Sequence, residues 1–425
     1  MTCPTRRSIT VVGVGADGCA GLTAHAQNAV MTAQFLVGSN EQHALFPQFQ
    51  GQRLSLKRPI TANLAELHKQ SLEHNICILA SGDPLFFGIG SLLLRHFPQT
   101  DVAFIPQPSS VQWACARLGI PWADATLLSA HGRNLQGLAA QLRQSTRAAI
   151  LTDPGAHSGP RIAAHLLAHG VTCFKAHLCE HLGSPDERIR ALTLQELAET
   201  TDVADIHLLV LERSDSPLPP SLPSLPEAAF EHATPLRGLI TKREVRVLTL
   251  AALRLRPTGV FWDVGAASGS VAIEAALLCP KSQVFAVERH SERAAQCHTN
   301  IRALGADNVH VVQGAAPHAC VDLPAPDAVF VGGSNGNLAA ICKQAFEALR
   351  PTGRLVVNTI TLENTVEAQR VLSDLAGPPE ATLVQLARAQ AVGTLQRWSA
   401  LNPVHIFAVT KPSHPLQHGA DHAHL

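Results

Sequence analysis

The chain has 425 residues, of which 46% are apolar and 16% charged. That is too long for one ordinary core and too apolar for a disordered polypeptide, so two or three globular domains are expected. Lys+Arg and Asp+Glu balance at 33 each, with no tyrosine and only 4% aromatic residues, which argues against a general nucleic-acid binder with its basic footprint and stacking platforms.

The first apolar run, SITVVGV, predicts a strand and leads into Gly13, Gly15 and Gly18 at the spacing G-x-G-x-x-G. A dinucleotide site needs that loop to open a helix directly, and an acid closing the second strand. Here the helix is expected only from about Leu22 or Thr23. The second strand, QFLVGSNE, has Val37, Gly38 and Ser39 where the acid belongs. An NAD-linked dehydrogenase is therefore disfavoured. TANLAELHKQSLEH predicts a helix, and ICILAS predicts a strand ending on Gly82-Asp83-Pro84, where Asp83 by itself suits an Asx turn. DVAFIP and AAILTD are further strands, and SGPRIAAHLLAHG is a helix. Its His165 and His169 are four apart, but no third ligand or H-E-x-x-H pattern joins them. The expectation is an exposed, alanine-rich helix face and no metal.

Strands alternating with helices imply α/β architecture with mostly parallel strands and ligands bound beyond the strands' carboxyl ends. Five ordered segments then carry a resemblance: ILASGDPLFFGIG, PQPSSVQWACARLGIPW, LSAHGR, ILTDPGAHSGPRIA and CEHLGSPDERI. Together they resemble the tetrapyrrole methylases (the class III methyltransferase fold), in particular the branch that methylates C5 of precorrins. The resemblance implies S-adenosylmethionine contacts from Gly82, Asp83 and Pro84, from the small pair Ser109 and Ser110, and from Leu151, Thr152 and Asp153. Gly13 and Gly15 would line the tetrapyrrole site or support its floor. His131 and Arg133 sit on a loop and either meet a substrate carboxylate or stand solvated.

Residues 214–226, SDSPLPPSLPSLP, hold five prolines and predict an extended spacer. The expected division is a first domain at 1–213, a linker at 214–234 and a second domain at 235–425. In ITKRE, Thr241 suits a helix N-cap with Glu244 completing a capping box. GVFWDVGAASGSVAIEAAL predicts a strand into Asp263, a turn through Gly265, Ala266, Ala267, Ser268 and Gly269, and a helix opening at Ser270. Such a loop lets the backbone approach a ligand, and the helix start offers free N–H groups. The next strand, SQVFAVER, ends on Glu288, whose carboxylate can accept both hydroxyls of a ribose. SERAAQCHTNIRALG reads as a helix, and NVHVVQG, DAVFVGG and GRLVVNT as strands.

The Asp263 to Gly269 loop resembles motif I of the class I S-adenosylmethionine methyltransferases, with Ala267 at the position of the middle glycine. A methyl group there would tighten the turn or weaken cofactor affinity. Glu288 matches the family's ribose-binding acid, and QGAAP, with Ala315 and Ala316, looks like its adenine-contacting turn. Residues 235–375 are similar to the methyltransferases that act on C15 of precorrins, in which a threonine matching Thr241 contacts the cofactor. Gly332, Gly333 and Ser334 are expected to form a flat floor for the macrocycle.

Across about residues 8–410 the chain resembles the fused precorrin C5,15-methyltransferases. The resemblance implies a tetrapyrrole methylase fold followed by a Rossmann-like class I fold, and S-adenosylmethionine as cofactor. It implies a bifunctional enzyme that methylates C5 and C15 of precorrin-6B, removes the ring C acetate carboxyl and gives precorrin-8 in cobalamin biosynthesis. No catalytic group is named. The expected partner is the small-molecule tetrapyrrole, with no nucleic acid or membrane, in a homo-oligomer. An RNA methyltransferase and a non-catalytic corrinoid carrier are the rival readings; neutral charge weighs against the first, and Ala267 as decay of a cofactor loop would favour the second. Lys57, Arg58, Arg133, Arg161, Arg237, Lys242 and Arg243 lie near expected loop ends, some to meet a polycarboxylate substrate and most as plain surface charge. The ten cysteines form no C-x-x-C pair, so buried thiols in a reducing compartment are expected. No apolar run approaches the roughly 18 residues of a membrane span, so a cytoplasmic protein is expected. The His-rich tail from about 412, with His414, His418, His422 and His424, is expected to be disordered.

Overall fold

A computed structural model describes residues 8–56, 60–214, 216–219, 224–231 and 240–413. Lys57, Arg58, Arg237, Cys3 and the tail histidines lie outside the described residues. The chain forms two compact units: residues up to 134 with 145–164 and 173–216, and residues 135–144 and 165–172 with 217 onwards.

The first unit holds two sheets. Strands β1 (Ile9–Val14), β2 (Phe35–Gly38), β3 (Gln52–Ser55), β4 (Ile76–Ser81) and β5 (Val102–Ile105) form a parallel sheet in the order β3-β2-β4-β1-β5. β1 and β4 are nearly continuous apolar runs because both faces are covered. Leu67, Leu93 and Phe97 pack on one face, while Leu22, Ala26, Val30 and Phe46 pack on the other. After a single 3-10 turn at Gly18–Gly21, the first α-helix runs Ala24–Met31, capped by the Thr23 hydroxyl, which accepts the Ala26 N–H at 3.2 Å; the late start of the α-helix expected from the sequence holds.

The second sheet comprises β6 (Thr126–Ser129), β7 (Arg147–Leu151), β8 (Phe174–Glu180), β9 (Arg188–Thr193) and β10 (His207–Arg213), in the order β6-β7-β10-β8-β9. Only β6 and β7 run parallel; the other pairs are antiparallel. The expectation of mostly parallel strands fails for this sheet. The link 181–187 between β8 and β9 is too short for a crossover helix, so β9 returns antiparallel beside β8, while β10, after helix Leu194–Glu199, inserts between β7 and β8 against both.

In the second unit, β11 (Val260–Val264), β12 (Gln283–Glu288), β13 (Val309–Gln313), β14 (Ala328–Val331), β15 (Arg354–Thr359), β16 (Glu380–Val384) and β19 (Val404–Thr410) form one sheet, with β17 (Ala387–Val392) and β18 (Leu395–Ala400) as a separate hairpin. The order is β13-β12-β11-β14-β15-β19-β16, parallel except for β19, which runs against both neighbours. Helices Arg243–Leu253, Ser270–Leu278 and Ser291–Leu304 cover one face, and Leu338–Ala348 and Leu362–Ala376 the other. This is a doubly wound sheet whose strand order reverses between β11 and β14, the place where such sheets bind ligands. No helix of the described residues is long and apolar enough to cross a membrane.

Candidate functional site

Two loop clusters stand at carboxyl ends of parallel strands, one in each unit. In the first unit β1 and β4 are neighbours, so the opening glycine loop and the Gly82-Asp83-Pro84 turn emerge side by side. The Gly82 N–H donates to the Val14 carbonyl at 3.0 Å. A methyl group on Gly13 would stand 2.0 Å from the Gly82 carbonyl oxygen and 2.8 Å from the Gln107 nitrogen. Gly13 is thus required by close backbone packing beneath the turn, a supporting position. Asp83 does form the Asx turn: its Oδ1 accepts the Leu85 N–H at 2.8 Å.

Ser109 is the N-cap of helix Ser110–Leu118 in a complete capping box. Its Oγ accepts the Gln112 N–H at 3.3 Å, and Gln112 Oε1 accepts the Ser109 N–H at 2.8 Å. The Leu151–Asp153 turn ends β7. Thr152 donates its hydroxyl to the His207 carbonyl at 2.5 Å, and its own carbonyl lies 3.2 Å from His131 Nδ1. Asp153 accepts from the N–H groups of Gly132, Gly155 and His157 at 3.2, 2.9 and 3.1 Å, and its Oδ2 is 2.6 Å from His157 Nδ1. Burial opposes ionisation of this carboxyl, but the donors from His157, Gly132 and Gly155 prevail and hold it well below the usual carboxylate range. His131 and Arg133 are exposed on the adjoining loop, and the Arg133 guanidinium lies 5.6 Å from the Phe87 ring centroid. His165 and His169 are half-buried, with ring centroids 4.4 Å apart, not the exposed face expected: His165 Nε2 lies 2.8 Å from the buried Asp307 carboxylate, and His169 Nδ1 lies 2.8 Å from the His165 carbonyl. No group of three metal-ligating side chains exists among the described residues.

In the second unit the glycine loop and the β14 loop meet at the reversal point. A methyl group on Gly265 would stand 2.6, 2.8 and 2.9 Å from the O, N and Cα of Gly333. Two backbones therefore touch here, and only glycine fits at 265. Ala267 takes φ +49, the left-handed region, at the position where the resembling families have glycine. Its N–H donates to Glu288 Oε2 at 3.0 Å, and Glu288 Oε1 accepts the His290 N–H at 2.9 Å. These bonds orient the Glu288 carboxylate at the end of β12 with lone pairs to spare. Asp263, fully buried, accepts the Ala272 N–H at 2.9 Å through Oδ2, while Oδ1 has no partner. Burial, with help from Glu288, pushes this carboxyl up to about 7 despite that hydrogen bond. The loop, an aimed acid and an orphaned buried oxygen beside it fit a nucleoside carrying an amino-acid group.

Thr241 precedes helix Arg243–Leu253, but the N-cap is Lys242 and no side chain caps the helix. The expected capping box is absent. Glu244 bonds the Arg388 guanidinium instead, which also takes Glu227 at 2.9 Å, so a strong ion pair outcompetes the cap. The Thr241 carbonyl is held at 2.5 Å by Nη1 of Arg246, which is wholly buried against Glu274 at 2.9 Å. Sequence reasoning missed Arg246 and Asn300, and placed Asp263 at the strand end without giving its side chain a role. Asn300 donates to the Ser268 carbonyl at 2.9 Å and brackets Glu231 from both sides, bracing the glycine loop. The available signal was a polar residue on the apolar stripe of helix Ser291–Leu304.

Residues 8–198 match the tetrapyrrole (corrin/porphyrin) methylases, and residues 228–411 match the precorrin methyltransferase domain. The "Precorrin-6Y C(5,15)-methyltransferase [decarboxylating]" of Sinorhizobium sp is 35% identical over 411 residues, which cover 95% of this chain and 96% of that protein. The chain belongs to this methyltransferase family. Two shorter relatives come from Salmonella typhimurium. Its cobalt-precorrin-7 C(5)-methyltransferase is 40% identical over 185 residues, 43% of this chain and 90% of its own. Its cobalt-precorrin-6B C(15)-methyltransferase (decarboxylating) is 36% identical over 173 residues, 40% of this chain and 89% of its own. The family carries a tetrapyrrole methylase domain and a second methyltransferase domain, and the two sheet systems described above are their frameworks.

Proposed function

We propose that the chain is a bifunctional S-adenosylmethionine-dependent C-methyltransferase that methylates C5 and C15 of precorrin-6B and decarboxylates the ring C acetate, giving precorrin-8. The observation that carries this is similarity over 95% of the chain to a decarboxylating C(5,15)-methyltransferase, supported by a glycine loop at the carboxyl ends of parallel strands in each unit. The domain at 1–213 performs the C5 transfer, and the domain at 235–425, after the linker at 214–234, performs the C15 transfer and decarboxylation.

Gly82, Asp83, Pro84, Ser109, Ser110 and the Leu151–Asp153 main chain hold one cofactor; Thr241, the loop Gly265–Gly269, Glu288, Ala315 and Ala316 hold the other. The bound sulfonium supplies an already activated methyl group. Glu288 takes the ribose, and Asp263 takes the charged amino group. The reduced macrocycle offers enamine-like carbons as nucleophiles, so the protein's main task is to align carbon and methyl at near-attack distance. Gly332, Gly333 and Ser334 give a floor without bulky side chains, and Arg133 and His131 meet carboxylates in the other domain. Decarboxylation needs the acetate ionised and shielded from water, with the electron pair received by the conjugated ring.

The nine described cysteines are all free thiols, and burial pushes Cys77 up to about 12. This supports a cytoplasmic, reducing location. The hairpin β17–β18 exposes Trp398 at 77% and Leu395 at 74%. Large apolar residues bared together on this hairpin support a homo-oligomer that covers them. Light scattering should show a multiple of the chain mass, lost in Trp398→Asp. The test of function is mass spectrometry of precorrin-6B incubated with protein and S-adenosylmethionine: two methyl groups gained and one carboxyl lost. Transfer to RNA, or cofactor binding without turnover, would sink the reading.

A further inference from the structure

Two aromatic residues follow the Gly82-Asp83-Pro84 turn, and the fold treats them oppositely. Phe86 packs onto the cluster formed by Val111, Cys115 and Leu208. Phe87 faces outward at 43% exposure, its ring edge-on to Phe86 at 4.8 Å. Phe87 also takes φ +53. A bulky residue in the left-handed region is a genuine outlier, and such strain persists only where the surroundings over-determine the backbone.

They do so here. The Asp83 carbonyl accepts the Phe86 N–H at 3.1 Å, and the Pro84 carbonyl accepts the Gly90 N–H at 2.9 Å. Methyl groups on Gly88 or Gly90 would stand 2.6 or 2.7 Å from the Pro84 carbonyl oxygen. The loop is closed tightly around Pro84, and its geometry favours glycine or asparagine at 87. Burial does not explain phenylalanine there, since the ring is largely outside. What the ring does meet is the Arg133 guanidinium, 5.6 Å from its centroid. Arg133 is exposed and has no acidic partner among the described residues. A guanidinium lying over a ring keeps its edge donors open for a bidentate carboxylate.

We propose that Phe87 is a substrate-positioning residue: its ring takes the apolar face of the tetrapyrrole and sets Arg133 to bind a carboxylate of the same molecule. This rests on the C5-methyltransferase reading of the first domain. The test is steady-state C5 methylation of precorrin-6B by the full chain, with S-adenosylmethionine affinity by calorimetry and the thermal midpoint measured alongside. Phe87→Gly removes the ring and the backbone strain together. It should leave the midpoint no lower than wild type and cofactor affinity within about twofold, while raising the tetrapyrrole KM roughly tenfold or more. Phe87→Leu should raise KM less, and in its background Arg133→Gln should cost less than it does alone. Unchanged KM in both Phe87 variants, or a lowered midpoint in Phe87→Gly, would overturn the proposal. A wild-type chain that binds cofactor but leaves C5 unmethylated would sink the underlying reading as well.

Discussion

Ala267→Gly isolates the one departure of the glycine loop from the pattern it resembles. Ala267 is half-buried at φ +49. An L-residue in the left-handed region costs roughly 1–2 kcal/mol, while restoring glycine gives back about 0.4–1 kcal/mol through the freer unfolded chain. The net expectation is a gain of about 0.5–1 kcal/mol. For a domain of this size that raises the thermal midpoint by roughly 1–4 °C. The Ala267 N–H bond to Glu288 should survive, since the substitution leaves the backbone in place. Removing the methyl also opens the loop to closer approach, so S-adenosylmethionine affinity at this site should hold or rise. Thermal unfolding and calorimetric titration measure both. A midpoint lowered by more than a degree, or a weakened affinity, would show that the methyl group packs usefully and that the strain argument is wrong.

Other outcomes follow from the same geometry. Gly265→Ala should destabilise the second domain by about 2–5 kcal/mol, since the added methyl meets three backbone atoms of Gly333 that cannot yield. Gly333→Ala should fold normally, because its methyl would approach Gly265 only to 3.9 Å, yet raise the tetrapyrrole KM while sparing cofactor affinity; denaturant melts and kinetics separate the two. Asp263 has a folded pKa raised to about 7, so the native state keeps a proton that the unfolded chain releases from about pH 4 upward. Stability should fall as pH rises through that window, and Asp263→Asn should abolish the dependence. Cofactor uptake should release a proton just below pH 7, seen as a buffer-dependent heat in calorimetry.

The frameworks of both sites were legible because their strands are apolar runs ending on acids or glycines. Asp263, Glu288 and Gly82 each close such a run, and the late first helix could be placed from Thr23. The antiparallel sheet of the first unit was not legible, because Phe174–Glu180 and His207–Arg213 are buried runs that carry no sign of direction. The Thr241 capping box failed for a non-local reason: Arg388, 144 positions away, claims Glu244. Asn300 and Arg246 escaped notice because their meaning lies in carbonyls brought to them by folding, Ser268 in one case and Thr241 in the other. The strain at Phe87 is a backbone angle, which composition cannot show.

The proposed function requires two independent S-adenosylmethionine sites in one chain. Equilibrium dialysis of the full-length protein with labelled cofactor tests it most directly, in wild type and in Glu288→Ala. Two equivalents should bind per chain, falling to one in the variant with the remaining affinity unchanged. One equivalent in wild type, or no loss in the variant, would contradict it.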